Sequence, residues 1–162
     1  MSECIFGPSP IPGGVLATTV VREIRKAGLP NSDGRGNSHK WTAFTKELLR
    51  KLAEDRALNV RCHGYGGELM LDMVWGDDID LAIEIEWQVN TAKDVIDDFQ
   101  KLVRVKAPLK LMVYWVNSPQ QHDTFRCAME GHMQKYTRHV AGEKYVFVAM
   151  GFTEKGCPDR FP

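Results

Sequence analysis

Apolar residues recur at helical spacing in three stretches of the chain. From Ser38, a residue type that favours the start of a helix, they return every three or four positions as far as about Arg56. The same spacing marks residues 92–105, and it marks residues 118–139, which begin with a Ser-Pro pair suited to a helix N-terminus. The pattern predicts three amphipathic helices.

Strand patterns lie between these helices. Residues 80–87 alternate between apolar and mainly acidic positions, whereas residues 110–116 are almost continuously apolar, as expected of a strand covered on both faces. Three shorter stretches, bounded by glycine, aspartate and asparagine, complete the set of predicted strands: 59–63, 68–75 and 144–150.

The order of these elements predicts the fold class. From Ser38 the order is helix, three strands, helix, strand, helix, strand, and helical crossovers join strands that run parallel. We therefore expect an α/β domain over residues 38–162, with a mixed central β-sheet flanked by helices. Residues 1–37 begin with a segment rich in proline and glycine, so we expect an N-terminal arm that can include a short helix over 15–28.

Composition narrows the range of partners. The chain has 162 residues with 21 basic and 21 acidic side chains, so binding to nucleic acid would need a local basic patch. No apolar run approaches the roughly 20 residues that span a bilayer. The four cysteines are scattered, and the start of the chain does not resemble a secretory signal. We expect a cytoplasmic protein with reduced thiols and no membrane association.

Three carboxylates converge in the predicted hairpin. If the strands on either side of the acidic turn pair antiparallel, one register places Asp72 opposite Glu84, and Glu86 projects from the same face. Opposed like charges are destabilising unless a cation offsets them, and carboxylate oxygens suit Mg²⁺ or Mn²⁺. This predicts a metal site with Asp72 and Glu84 as ligands, where Glu86 orients or deprotonates a water. Alternating glutamates are also typical of a solvated strand face, and a one-residue shift in register would separate Asp72 from Glu84.

These residues also carry a family resemblance. The run from Asp72 through Glu84-Ile85-Glu86 is followed by a helix containing Phe99-Gln100-Lys101-Leu102 and by the apolar strand Leu109–Val116. Together they resemble the PD-(D/E)XK nuclease superfamily, which has the restriction-endonuclease-like fold. The resemblance covers roughly residues 38–116. It implies an αβββαβ core, to which the last helix and strand are additions.

The resemblance implies an activity and roles for particular residues. Asp72 and Glu84 would bind Mg²⁺ for hydrolysis of DNA, and the lysine usual in the motif is replaced by Glu86, an acid that some members carry there. Glu47 in the first core helix would complete the site, and Lys101 would bring positive charge near the phosphate. Many members act as dimers, so a homodimer is an option that the resemblance implies.

Two other functions fit the same sequence. The substitution at Glu86 and the zero net charge favour a nuclease-like domain that has lost catalysis and binds nucleic acid or a protein. A small accessory or inhibitor protein could instead use the acidic face to engage a basic partner.

Aromatic residues on strands usually belong to the core, and Trp87 is the one least expected in the core. DNA would approach through local clusters of basic residues: Arg22, Arg25, Lys26, Arg35, Lys40, Lys101, Arg104, Lys106 and Lys110.

Overall fold

The computed structural model describes residues 3–6, 13–28, 38–62, 70–87, 91–139 and 141–151. Within these ranges no helix is both long enough and apolar enough to cross a membrane. The elements, in chain order, are β1 (Glu3–Phe6), α1 (Gly13–Ala27), α2 (Ser38–Glu54), β2 (Val60–Cys62), β3 (Met73–Trp75), β4 (Leu81–Glu86), α3 (Ala92–Arg104), β5 (Leu109–Val116), α4 (Pro119–Lys135) and β6 (Lys144–Gly151).

The strands form one mixed sheet of six strands in the order β1-β6-β5-β4-β3-β2. The hairpin-like neighbours β2, β3 and β4 pair antiparallel, whereas β4, β5 and β6 run parallel because α3 and α4 return the chain to the start of the next strand. The predicted α/β class, with helices flanking a mixed sheet, is confirmed, and so is the predicted order of elements from Ser38 onward.

Each face of the sheet is covered by a different pair of helices. Leu81, Ile83 and Ile85 of β4 belong to a core cluster that also contains buried residues of α1 and α2. The alternate residue Ala82 belongs to a second cluster, with buried residues of α3 and α4. Since side chains alternate along a strand, Glu84 points toward the face covered by α3 and α4.

The segment before Ser38 contributes more to the domain than the predicted arm would. β1 pairs antiparallel with β6, and α1 buries Ala17, Val20, Val21 and Ile24 in the core cluster shared with α2. Val20 and Val21 have β-branched side chains, which lower helix propensity, but both are buried in this cluster, and burial outweighs intrinsic propensity. Residues 7–12 and 29–37 of the predicted arm lie outside the described residues.

The strand predicted over 68–75 is shorter in the structure. β3 begins at Met73, because Met70 has a left-handed backbone conformation with φ 59° and Asp72 lies in a bend. Residues 63–69, which include parts of two predicted strands, lie outside the described residues. At the other end of β3, Gly76 has φ 80°, and a Cβ at this position would collide with the side chain of Asp80. This glycine starts the turn that returns the chain into β4.

Lys110 is not part of a basic surface, so its inclusion among the DNA-facing residues is wrong. It lies on the face of β5 under α3 and α4 and has no exposed surface. Its Nζ is 2.9 Å from Glu143 Oε2 and donates a hydrogen bond of 3.0 Å to the hydroxyl of Tyr145. Burial lowers the pKa of Lys110, although Glu143 opposes the change. The pair is a buried structural ion pair.

We expect Glu143→Gln to destabilise the fold by about 3 kcal/mol, because it leaves the ammonium of Lys110 buried without a countercharge. The measurement is the free energy of urea unfolding at pH 7. Asp123→Asn, which removes an exposed carboxylate 3.8 Å from Arg126, is the control, and it should change stability by less than about 0.5 kcal/mol. Equal effects of the two substitutions would contradict a buried pair.

Candidate functional site

The hairpin register brings Asp72 and Glu84 together. β3 and β4 pair with Met73 opposite Ile83 and Trp75 opposite Leu81. One step beyond this ladder, Asp72 Oδ2 accepts a hydrogen bond of 2.8 Å from the backbone N–H of Ile85. Asp72 therefore lies beside Glu84, so the structure has the register that pairs them and not the one-residue shift that would separate them.

A cavity of about 390 Å³ opens at the carboxyl end of β4. α2, the segment before β3, the end of β4 and α3 each contribute to its wall, so four parts of the chain meet there. The residues that line it are His39, Thr42, Met70, Asp72, Glu84, Ile85, Glu86, Trp87, Asp98 and Lys101. Four of the predicted site residues lie in this wall: the acidic residues Asp72, Glu84 and Glu86, and the basic residue Lys101.

Both oxygens of Asp72 have partners. Oδ2 is fixed by the N–H of Ile85, and Oδ1 lies 2.8 Å from the Nζ of Lys46 on α2. The side chains of Asp72 and Lys46 are each about one quarter exposed, at 22% and 24%. The carboxylate is thus held in one orientation at the cavity wall, with a lysine as its countercharge.

Glu84 is the most buried acid of the site. Its side chain is 1% exposed, Oε2 lies 3.4 Å from Lys101 Nζ, and Oε1 has no hydrogen-bond partner among the described residues. Burial raises the pKa of Glu84 to about 9, and the charge of Asp72 adds to this rise, whereas Lys101 opposes it. At pH 7 and without a bound cation, Glu84 is therefore mainly protonated.

Lys101 lies between two acids. Its Nζ donates hydrogen bonds to Asp98, one turn earlier on α3, and to Glu84 on β4. Burial alone would lower the pKa of Lys101, but the hydrogen bond and charge of Asp98, together with Glu84, outweigh it and raise the pKa. The side chain keeps its positive charge at the wall of the cavity.

The structure does not bring all the predicted site residues together. Glu86 lines the cavity on the same strand face as Glu84. Glu47, in contrast, is exposed, hydrogen-bonds to Arg50 at 2.7 Å and does not line the cavity. The side of α2 next to the site carries His39, Thr42 and Lys46, which follow helical spacing, and Glu47 is one residue further around the helix.

Two charged residues of the site were not among the predictions. Lys46 is adjacent in sequence to Glu47, but the family resemblance implies an acidic residue in this helix and does not point to a lysine. Asp98 precedes Lys101 by three positions on α3, and this spacing places two side chains on one helix face. Helical spacing from Lys101 could have identified Asp98, whereas Lys46 required knowledge of how α2 is rotated against the sheet.

Trp87, which lines the cavity, belongs to an aromatic cluster with Trp41 and Trp115. Trp87 is 6% exposed, so the expectation that it would be the aromatic residue outside the core is wrong. Its ring centroid lies 5.6 Å from that of Trp41, which in turn stacks on Trp115 at 4.9 Å. The carboxyl ends of β4 and β5 are thereby attached to α2 by packed indoles, which gives the site a rigid wall.

The donor set fits a hard divalent cation. Glu84 Oε1 is a buried oxygen without a partner among the described residues, and Glu84 is a neighbour of Asp72. Mg²⁺ in proteins commonly takes one or two carboxylates and keeps several waters. No group of three or more His, Cys, Asp or Glu side chains in the described part of the chain is arranged around a common metal position.

Comparison of the chain with protein-family models, with curated proteins and with solved structures finds no match. Membership of the PD-(D/E)XK superfamily therefore stays a prediction from the sequence. The fold class rests on the structure, and any function has to be argued from the residues around the cavity.

Glu84→Gln should stabilise the cation-free protein by an amount that grows with pH. Between pH 4.5, the ordinary pKa of glutamate, and about 9, the unfolded chain ionises at this residue while the folded chain does not. The contribution of Glu84 to the free energy of unfolding is therefore fully present below pH 4.5. It falls by up to about 1.4 kcal/mol per pH unit as the pH rises toward 9. Glutamine removes this loss.

The measurement is urea unfolding in EDTA at pH 5 and pH 8, with Glu130→Gln on α4 as the control. The advantage of Glu84→Gln over the wild type should be larger at pH 8, and the control should show no comparable increase. The same difference from wild type at both pH values would contradict a buried, protonated Glu84.

Proposed function

We propose that the protein is a divalent-metal-dependent nuclease that hydrolyses DNA phosphodiester bonds. The observation that carries the proposal is the meeting of Asp72 and Glu84 at one cavity, in the register that a two-carboxylate metal site requires. Glu86 and Lys101 line the same cavity, so one acidic and one basic side chain lie beside the pair. This combination suits the hydrolysis of an anionic ester.

The chain's own residues would divide the work. Asp72 and Glu84 would hold the ion, which when bound supplies Lewis-acid polarisation of the phosphoryl oxygen and lowers the pKa of water. Glu86, on the same face as Glu84, would orient the attacking water and accept its proton. Lys101 would offset negative charge that develops on the phosphate. No nucleophilic side chain is needed for this chemistry.

The positive charge that would attract a polyanionic substrate comes from a few exposed basic side chains. Lys40, near the start of α2, and Arg104, at the end of α3, are exposed, and Lys106 is exposed just beyond that helix. Lys40 and Arg104 belong to the two helices that contribute to the cavity wall, and Lys106 follows the second of them. Arg35, another predicted contact, lies outside the described residues. DNA is the proposed substrate because it can place one phosphate at the carboxylates while neighbouring phosphates contact these basic side chains.

A second candidate function is a nuclease-like domain without catalysis that binds nucleic acid or a protein. The observation that favours it is that lysines of the chain already lie beside both acids, Lys46 at 2.8 Å from Asp72 and Lys101 at 3.4 Å from Glu84. In that case the lysines would be permanent partners, and added metal would leave DNA intact.

Asp72→Asn should abolish binding of Mn²⁺ and metal-dependent nicking of supercoiled plasmid, because it removes the charge of one of the two carboxylate ligands. Calorimetric titration with Mn²⁺ measures binding, and gel analysis of the plasmid measures cleavage. Asp97→Asn on α3, which removes an exposed carboxylate paired with Lys93, is the matched control and should behave as the wild type.

The outcomes separate the two candidate functions. Binding of Mn²⁺ that Asp72→Asn abolishes, together with nicking, supports the nuclease. Binding without nicking by any divalent metal favours the inactive domain. Failure of the wild type to bind Mn²⁺ would contradict a metal site altogether.

Lys101→Met should reduce the rate of metal-dependent cleavage by roughly 100-fold, because it removes the ammonium that faces the phosphate. Binding of Mn²⁺ should persist, since Lys101 is not a ligand. Lys93→Met is the matched control from the exposed side of the same helix, and its cleavage rate should equal that of the wild type. An unchanged rate in Lys101→Met would remove Lys101 from the catalytic residues.

A further inference from the structure

Lys46 holds one of the proposed metal ligands. Its Nζ lies 2.8 Å from Asp72 Oδ1, whereas the other lysine of the site, Lys101, is held mainly by Asp98, which is not a proposed ligand. We propose that Lys46 is a resident counter-cation that a divalent ion displaces from Asp72, and that the freed ammonium then contacts the phosphate of the substrate. The inference rests on the proposed function and names a further residue of that site.

The position of Lys46 permits both contacts. It shares one side of α2 with Thr42 and His39, which line the cavity, at intervals of four and three residues. Its ammonium ends a flexible four-carbon stem and can exchange one oxygen partner for another. The side chain is 24% exposed, so it is not locked in the core.

Electrostatics makes the ammonium and a divalent ion compete. A cation bound to Asp72 would lie within about 5 Å of an ammonium on the same carboxylate, and two positive charges so close in a partly buried site repel strongly. Asp72 must therefore give up Lys46, at least in part, when the ion binds. Removal of the lysine charge should make the ion bind more tightly.

The charge of the cavity wall explains why the freed lysine would turn to the substrate. Four acids line the cavity, Asp72, Glu84, Glu86 and Asp98, against one lysine, Lys101. A phosphate that enters beside these acids needs more positive charge than one lysine and one divalent ion supply. Lys46 is the nearby cation that ion binding itself would release.

A purely structural role for Lys46 makes the opposite prediction. If the lysine only keeps Asp72 in its orientation, its loss would loosen the carboxylate and weaken metal binding. The sign of the change in metal affinity therefore separates a displaced counter-cation from a fixed anchor.

The test compares the wild type with Lys46→Met and with Lys51→Met, a control from α2 whose lysine is 66% exposed and lies 3.6 Å from Glu47. Calorimetry with Mn²⁺ should show about tenfold tighter binding by Lys46→Met and no change for Lys51→Met. Far-ultraviolet circular dichroism and urea unfolding confirm that each variant folds.

A second measurement reads the substrate contact. Anisotropy of a labelled DNA duplex with phosphorothioate linkages, which resist cleavage, gives the affinity at saturating Mn²⁺ and in EDTA. At saturating Mn²⁺, Lys46→Met should bind the duplex roughly tenfold more weakly than the wild type. In EDTA the two should bind equally, because Lys46 is then held by Asp72.

A third measurement is made on the wild-type protein, uses Lys46→Arg only to assign the signal, and remains decisive if Lys46→Met does not fold. Nitrogen-detected NMR of lysine side chains, with Lys46 assigned through Lys46→Arg, should show the Nζ signal of Lys46 shifting as Mg²⁺ is added, while that of Lys51 stays in place. A Lys46 signal that stays unchanged at saturating Mg²⁺ would overturn displacement.

The outcomes distinguish this inference from the proposed function. Metal binding by the wild type that is weakened or unchanged in Lys46→Met overturns the inference and leaves the nuclease proposal intact. Metal binding by Lys46→Met but not by the wild type contradicts both proposals, because the ion then does not displace Lys46 from Asp72. If neither protein binds Mn²⁺, both proposals fall.

Discussion

The site depends on the antiparallel pairing of β3 with β4. This pairing sets Asp72 one step beyond the hydrogen-bonded ladder, where the N–H of Ile85 fixes its carboxylate beside Glu84. Because side chains alternate along a strand, the same register that places Ile83 and Ile85 in one core cluster turns Glu84 toward α3. The apolar core and the acid pair are consequences of one arrangement, and neither can change without the other.

Burial of the acids has an electrostatic consequence that the fold answers from within. Glu84 has almost no exposed surface, and its ionisation is disfavoured by burial and by Asp72. Lysines from two helices lie beside the two acids, Lys46 from α2 and Lys101 from α3. The cavity therefore has its own basic side chains, and in the proposed metal-bound state a divalent ion would displace the one on Asp72.

Much of the fold follows from patterns that local physics enforces. The alternation around Glu84 and the acidic turn predicted the hairpin but left two registers open, of which the structure shows the one that pairs Asp72 with Glu84. The apolar run of β5 predicted a central strand. The left-handed residue Met70 could not be foreseen, since no glycine marks it. The sequence indicated only a possible short helix where α1 lies. This helix is stabilised by packing on the sheet, and helix propensities do not include that contribution.

The site was predicted less completely than the fold, for a geometric reason. Positions on a strand follow from alternation, so Glu84 and Glu86 could be placed, but the rotation of a helix against the sheet is set by packing. A turn of one residue, about 100°, places Lys46 beside Asp72 and directs Glu47 to solvent with Arg50. Lys110, which was expected at the surface, is likewise buried and forms an ion pair with Glu143.

The most direct test of the central claim is an anomalous diffraction map of crystals soaked in Mn²⁺. A peak within about 2.2 Å of carboxylate oxygens of both Asp72 and Glu84, with Lys46 moved off Asp72, is the predicted result, and a fully soaked crystal with no peak between these two residues would contradict it.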